Sequence, residues 1–217
     1  MVNCEKRVFI VDDDGLVRRA LCRLLGAMGY QAEAFDTAQS FLDNIDLTAG
    51  PACVVLDLQL PDMSGLEVQR RLDMRLPIVF ITGHGDIGTS VDAMKAGATD
   101  FLTKPIDGEV LVEAIKRALC HAKKAFDDRR EQEHIQSRLA TLTPREREVM
   151  THVVAGRLNK QVADNLGIAE ATIKIHRARV MTKMQAESLA DLIHLVDKAG
   201  ERAFANPAPP VYNQGSR

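Results

Sequence analysis

The chain reads as an α/β protein: a doubly wound five-stranded parallel sheet, followed by a helical linker and an all-α domain. Three observations carry that reading. Short apolar runs alternate with amphipathic helical stretches through the first 120 residues, the pattern of repeated βα units. Several of these runs end abruptly in a carboxylate, a hydroxyl or an ammonium. Beyond residue 138 the strand pattern stops and short helices separated by turn residues take over.

The strands are expected at residues 7–11, 31–35, 53–57, 78–82 and 100–103. Helices fall between them at 16–28, 38–45, 66–72, 88–96 and 109–119. The first helix carries Leu16, Ala20, Leu21, Leu24, Leu25 and Met28 at helical spacing and closes at Gly29. The fifth carries Leu111, Ala114, Ile115, Ala118 and Leu119 on one stripe. Residues 121–138 follow, with opposite charges three and four apart (Asp127, Asp128, Arg129, Arg130, Glu131, Glu133). That spacing predicts a helical linker continuing the fifth helix; a flexible charged tether is the alternative.

Residues 139–203 form the second domain. Thr143-Pro144-Arg145-Glu146 supplies an N-cap, a proline at the first helical position and a capping-box glutamate. That helix is expected to stop at Gly156. Further helices follow at 160–166, 171–184 and 189–199, the last behind a second capping box of Ser188 and Asp191. The tight turn Gly167-Ile168-Ala169 between the second and third helices describes a helix-turn-helix bundle. Residues 204–217, with Pro207, Pro209, Pro210 and Gly215, are expected to be disordered.

At 217 residues, 46% hydrophobic and 27% charged, the composition is that of a soluble globular protein of one or two domains. No window reaches the apolar length of a membrane helix. The N-terminus (Glu5, Lys6, Arg7, then four apolar residues meeting three aspartates) does not read as a signal peptide. Cys4, Cys22, Cys53 and Cys120 show no metal-binding spacing and read as reduced small hydrophobes, which suits the cytoplasm. Residues 1–137 hold 16 Lys/Arg against 22 Asp/Glu, a net −6, whereas residues 138–203 hold 11 against 8, a net +3. An acidic front joined to a basic back suggests a metal-binding or regulatory module joined to one that binds a polyanion.

In a parallel sheet every strand C-terminus faces one edge, so Asp12, Asp13, Asp57, Thr82 and Lys104 are expected in one crevice. Acids with one hydroxyl and one lysine suit a divalent metal and a phosphoryl group. Read alone, Asp12, Asp13 and Asp14 would serve as a helix N-cap cluster, and Asp14 is expected to be only that. His84 lies past a strand end among glycines and reads as a loop feature.

The set Val11-Asp12-Asp13, Leu56-Asp57, Thr82 and Lys104-Pro105 resembles the receiver domain of two-component response regulators, CheY-like and flavodoxin-like in fold. The phrases Leu60-Pro61-Asp62-Met63-Ser64-Gly65, Ile81-Thr82-Gly83-His84-Gly85-Asp86 and Met94-Lys95-Ala96-Gly97-Ala98 are most similar to the FixJ subfamily. The resemblance implies that Asp57 accepts a phosphoryl group from a sensor histidine kinase. It implies that Asp13, Asp57 and the carbonyl of Gln59 hold Mg²⁺ (or Mn²⁺), with Asp12 acting through water. It further implies that Lys104 and Thr82 contact the phosphoryl oxygens, that Lys104–Pro105 is cis, and that Thr82, Phe101 and Pro105 take part in a switch. The dimer surface implied is residues 87–96, 100–103 and 109–119.

Leu142-Thr143-Pro144-Arg145-Glu146-Arg147-Glu148-Val149, Asn159-Lys160-Gln161-Val162-Ala163 and Thr172-Ile173-Lys174-Ile175-His176 resemble the LuxR-type helix-turn-helix of the FixJ and NarL regulators. A helical wheel puts Ile173, Val180 and Met184 inward. Ala171, Ile175, Ala178 and Thr182 face out, flanked by Lys174 and Arg179. The resemblance implies base contacts from Lys174, Ile175 and Ala178. It implies phosphate contacts from Lys160, His176, Arg177, Arg179 and Lys183, with Thr172 among the DNA-binding residues; Arg177, toward the inner side, has packing as its alternative. The expected protein is a cytoplasmic regulator that dimerises when phosphorylated, binds double-stranded promoter DNA and meets RNA polymerase. The only catalysis expected is slow self-dephosphorylation. Two alternatives stand beside it. An aspartyl phosphatase usually has a second acid two residues after its nucleophile, where this chain has Gln59. A kinase-independent regulator would have no use for the full acid, threonine and lysine set.

Overall fold

The computed structural model describes residues 6–73, 75–83 and 87–199, with all their side chains but those of Ile87 and Thr89. Cys4, His84 and the tail at 204–217 lie outside the described residues. The chain divides into two compact units, residues 1–127 and 128–217.

In the first unit five parallel strands, β1 (Arg7–Val11), β2 (Gln31–Phe35), β3 (Ala52–Asp57), β4 (Ile78–Thr82) and β5 (Asp100–Thr103), lie in the order β2-β1-β3-β4-β5. The helices between them are α1 (Gly15–Ala27), α2 (Ala38–Asn44), α3 (Gly65–Leu72), α4 (Ile87–Lys95) and α5 (Gly108–Ala140). Four of the expected strands match residue for residue, and the other begins one residue earlier, at Ala52. Alternation along the strands builds two cores. Phe9, Val11, Val54, Leu56, Ile78 and Phe80 face α2, α3 and α4, while Val8, Ile10, Cys53, Val55, Val79 and Ile81 face α1 and α5. Strands covered on both faces are apolar throughout, which is why β1, β3 and β4 read as continuous runs.

Registers fix the strand ends against one another. Val11 pairs with Leu56, Asp57 with Ile81, and Thr82 with Thr103. Asp14 caps α1, its carboxylate accepting the Leu16 amide at 2.7 Å, as the sequence suggested. Helix α5 runs without a break through the stretch read as a linker, and the division between the two units falls inside it, after Asp127. Cys22, Cys53 and Cys120 are free thiols; burial pushes the Cys53 thiol pKa up, but Cys120 is exposed rather than a core hydrophobe.

In the second unit, α6 (Pro144–Val154), α7 (Asn159–Leu166), α8 (Glu170–Met184) and α9 (Leu189–Lys198) enclose a core that includes Val149, Met150, Val162, Ile173, Val180, Met184, Leu192 and Val196. Gly167, at φ +65°, makes the left-handed turn between α7 and α8. The capping box of Thr143 and Glu146 is formed in both directions. The second one is only half formed. Ser188 accepts the Asp191 amide at 3.1 Å, but Asp191 turns its shorter carboxylate to the amide of Glu187, one residue outside the cap. Among the described residues no helix is long and apolar enough to cross a membrane.

Candidate functional site

Four strand ends deliver one cluster. Asp12 follows β1, Asp57 ends β3, Thr82 ends β4 and Lys104 follows β5. Asp12 and Thr82 are fully buried and Asp57 is 5% exposed, while Asp13 is exposed at the rim. The Lys104 ammonium lies between two carboxylates, 2.6 Å from Asp57 Oδ2 and 2.7 Å from Asp12 Oδ2. Its backbone N–H donates to the Thr82 carbonyl at 2.7 Å, so the β4–β5 ladder sets where the lysine starts. The Lys104–Pro105 bond is cis.

The remaining carboxylate oxygens are held by the backbone. Asp57 Oδ1 accepts the Gln59 amide at 3.0 Å, and Asp12 Oδ1 accepts the Asp14 amide at 2.8 Å. Burial raises the Asp12 pKa, and the charge of Asp57 adds to it; Lys104 and the Asp14 amide pull the other way without cancelling the rise. Burial works against the charge of Lys104, but hydrogen bonds and attraction from Asp12 and Asp57 outweigh it and leave that pKa raised.

Asp12, Asp13 and Asp57 each offer a carboxylate oxygen, all within 4.8 Å of one another. Three carboxylates against one ammonium leave two formal negative charges in excess, carried on hard oxygen donors. That donor set fits a small divalent cation of the Mg²⁺ kind.

Phe101 on β5 is half-buried, its ring 6.3 Å from that of Phe80 and tilted by 46°. On α4 and α5, Val91, Met94 and Val110 are exposed apolar side chains.

The loop between β3 and α3 holds two residues whose importance the sequence did not single out. A Cβ on Gly65 would stand 2.6 Å from the Asp57 carbonyl oxygen, so only glycine lets α3 start this close to the acid. Asp62 accepts the amides of Ala38 at 3.2 Å and Gln39 at 2.9 Å, capping α2 from another loop. Loss of hydration opposes its ionisation, but those amides, with its own and that of Met63, outweigh this and lower its pKa. Both residues stood in a family-like phrase, but neither contact has a local sequence signal.

In the second unit, α8 buries Ile173, Val180 and Met184, as its wheel predicted. Ala171, Ile175, Ala178 and Thr182 are exposed together, with Lys174 and Arg179 beside them. Lys160 is exposed at the start of α7, and Lys174 makes only a surface pair with Glu170 at 3.3 Å among the described residues. Thr172 and His176 are half-buried, and His176 Nδ1 is enclosed with no hydrogen-bond partner among the described residues.

Two basic residues expected at phosphates also make contacts within the second unit. Arg177 is half-buried and donates to Asn159 Oδ1 at 3.2 Å, the packing alternative. Lys183 donates to Glu146 Oε2 at 2.6 Å and to the Thr141 carbonyl at 2.9 Å. The reason is Glu146 itself: only 2% exposed, this carboxylate needs a counter-charge, and the last turn of α8 supplies it. Lys183, with the Thr143 backbone amide, holds the Glu146 pKa down to about 2.

Residues 8–116 match the response regulator receiver domain, and residues 140–196 match the bacterial regulatory proteins of the luxR family. Nodulation protein W of Bradyrhizobium diazoefficiens is 45% identical over 198 residues, 89% of this chain and 86% of the relative. Transcriptional regulatory protein FixJ of Rhizobium meliloti is 43% identical over 197 residues, 89% of this chain and 96% of the relative. The solved structure of response regulator StyR shares 44% identity and a TM-score of 0.80, covering 88% of this chain and 98% of that one.

Glu146 ionises near 4.5 when unfolded and at about 2 when folded, so its stabilising contribution is complete above pH 4.5. It declines as pH falls below 4.5 and is gone once pH passes below about 2. Circular-dichroism melts across this window should show the second unit losing stability more steeply in the unaltered chain than in Glu146→Gln; parallel losses would contradict the assignment.

Proposed function

The chain belongs to the two-component response regulators that join a receiver domain to a LuxR-type DNA-binding domain, and on that premise we propose that phosphorylation of Asp57 controls its hold on promoter DNA. The observation that carries the reading is the Lys104 ammonium set between Asp57 and Asp12 at 2.6 and 2.7 Å. In the transfer, a carboxylate oxygen of Asp57 attacks the phosphorus of a kinase phosphohistidine. The new P–O bond forms as the P–N bond breaks, and the imidazole leaves with the electron pair. Lys104 puts a point charge on the phosphoryl oxygens and the Thr82 hydroxyl donates to another. Asp13, Asp57 and the Gln59 carbonyl would hold Mg²⁺ or Mn²⁺, with Asp12 acting through water; when bound, the cation offsets the charge of the incoming group. No further catalysis is proposed beyond slow loss of the phosphoryl group.

The aspartyl phosphate carries about −1.5 to −2 charge, which draws Thr82 toward it and lets Phe101 turn inward. The half-buried setting of Phe101 beside Phe80 supports that movement. The exposed Val91, Met94 and Val110 support a dimer surface on α4, β5 and α5. Reversing a 1:99 equilibrium to 99:1 takes about 5.5 kcal/mol, a cost that phosphorylation and dimerisation share.

A dimer presents two α8 helices to half-sites about one helical turn apart. The exposed Lys174, Ile175 and Ala178 face base edges, and Lys160 and Arg179 face phosphates. His176 and Thr172 stand at the margin, while Arg177 and Lys183 hold the helix in place. A cytoplasmic transcription regulator working with a sensor kinase and RNA polymerase is the role this supports, in keeping with relatives named as a response regulator and a transcriptional regulatory protein.

Acetyl phosphate with Mg²⁺ should produce a slower-migrating band on a phosphate-affinity gel, and Asp57→Asn should not; equal shifts in both would overturn the assignment of the acceptor. Lys174→Ala should cost about 1–3 kcal/mol of operator affinity at physiological salt while leaving the fold and the gel shift intact. Unchanged affinity would remove Lys174 from the base-reading set.

A further inference from the structure

We propose that Asp62 is a positioning residue for cation binding at the strand-end site, acting by tying the loop that carries Gln59 to the start of α2. The inference rests on the reading of that site as a cation-assisted phosphoryl acceptor.

The loop is anchored at both ends. Leu58 donates its amide to the Ile81 carbonyl at 3.0 Å, the Gly65 amide returns to the Leu58 carbonyl at 2.8 Å, and Gln59 bridges to Ser64. Ser64 in turn caps α3, accepting the Glu67 amide at 3.2 Å. Between these anchors Leu60 and Met63 pack against the apolar core, and among the described residues the loop tip's side-chain hydrogen bonds to another element are those of the Asp62 carboxylate with the amides of Ala38 and Gln39. The next amide of α2, that of Ser40, goes to Thr37 Oγ1 at 3.2 Å. Two side chains therefore share the start of α2, Thr37 from its own cap and Asp62 from the loop. A carboxylate at a helix start is further favoured by the macrodipole.

Gln59 is held from both sides of this arrangement. Its amide is fixed on Asp57 Oδ1, and its carbonyl is the proposed cation ligand. With Asp62 in place the backbone at Gln59 is ordered before the ion arrives. Without it, the tip from Pro61 to Ser64 keeps freedom that cation binding must remove, and affinity falls. Asp62 is exposed and, among the described residues, its carboxylate bonds to α2 amides and not to Asp12, Asp13 or Asp57, so it acts through the loop and not on the ion.

The test is direct titration of the full chain with Mn²⁺ alone, the free ion followed by electron paramagnetic resonance. Asp62→Ala should raise the apparent Kd roughly tenfold, the lower end of what groups behind the ligands contribute. Asp62→Asn, which keeps one acceptor oxygen, should fall between. Thr37→Ala weakens the same helix start without touching the loop and should bind Mn²⁺ as the unaltered chain does. Circular dichroism establishes that each variant is folded. Undiminished binding in Asp62→Ala, or equal weakening by Thr37→Ala, would overturn the clamp. No Mn²⁺ binding by the unaltered chain, or binding undiminished in Asp57→Asn, would overturn the reading of the site itself.

Discussion

The contact of one ammonium with two buried carboxylates, Lys104 with Asp57 and Asp12, is the constraint around which the first unit is arranged. Burying like charges this close is unfavourable unless something positive stands between them. The sheet makes that possible, because strands in the order β2-β1-β3-β4-β5 put the ends of β1, β3, β4 and β5 on one edge. Two apolar cores on opposite faces hold those strands in register. Each core is therefore also a support for the site. A change of register by one residue would send Asp57 to the wrong face of the sheet.

The second unit solves a related problem differently. Glu146 is a buried acid whose role in capping α6 would leave its charge unbalanced, and Lys183 from α8 balances it. The same residue pair joins the start of one helix to the end of the helix with the exposed Lys174, Ile175 and Ala178. Exposed and packed side chains thus divide α8 along its length and around its circumference. Arg177, held by Asn159, belongs to the packing side.

What the sequence made legible follows from how local each signal is. Strand runs covered on both faces, the Thr143 and Glu146 capping box and the buried stripe of α8 are patterns within a few residues, and the structure contains each of them. The strand-end cluster was legible for a different reason: parallel topology turns four distant positions into neighbours without any need to know their contacts. What stayed hidden depends on tertiary partners. Nothing near Lys183 announces Glu146, thirty-seven positions away, and nothing near Asp62 announces the amides of α2. The half-formed box at Ser188 shows the limit even of a local motif, since aspartate in the glutamate position reaches a different amide.

Charge placed on one strand-end carboxylate is the signal proposed to govern what the second unit does at a promoter. The most direct measurement is kinase-dependent transcription from a bound promoter in cells carrying Asp57→Asn, set against the unaltered gene at matched protein levels. Loss of induction with the variant still folded is the predicted result. Full induction from a chain with no carboxylate at position 57 would contradict it.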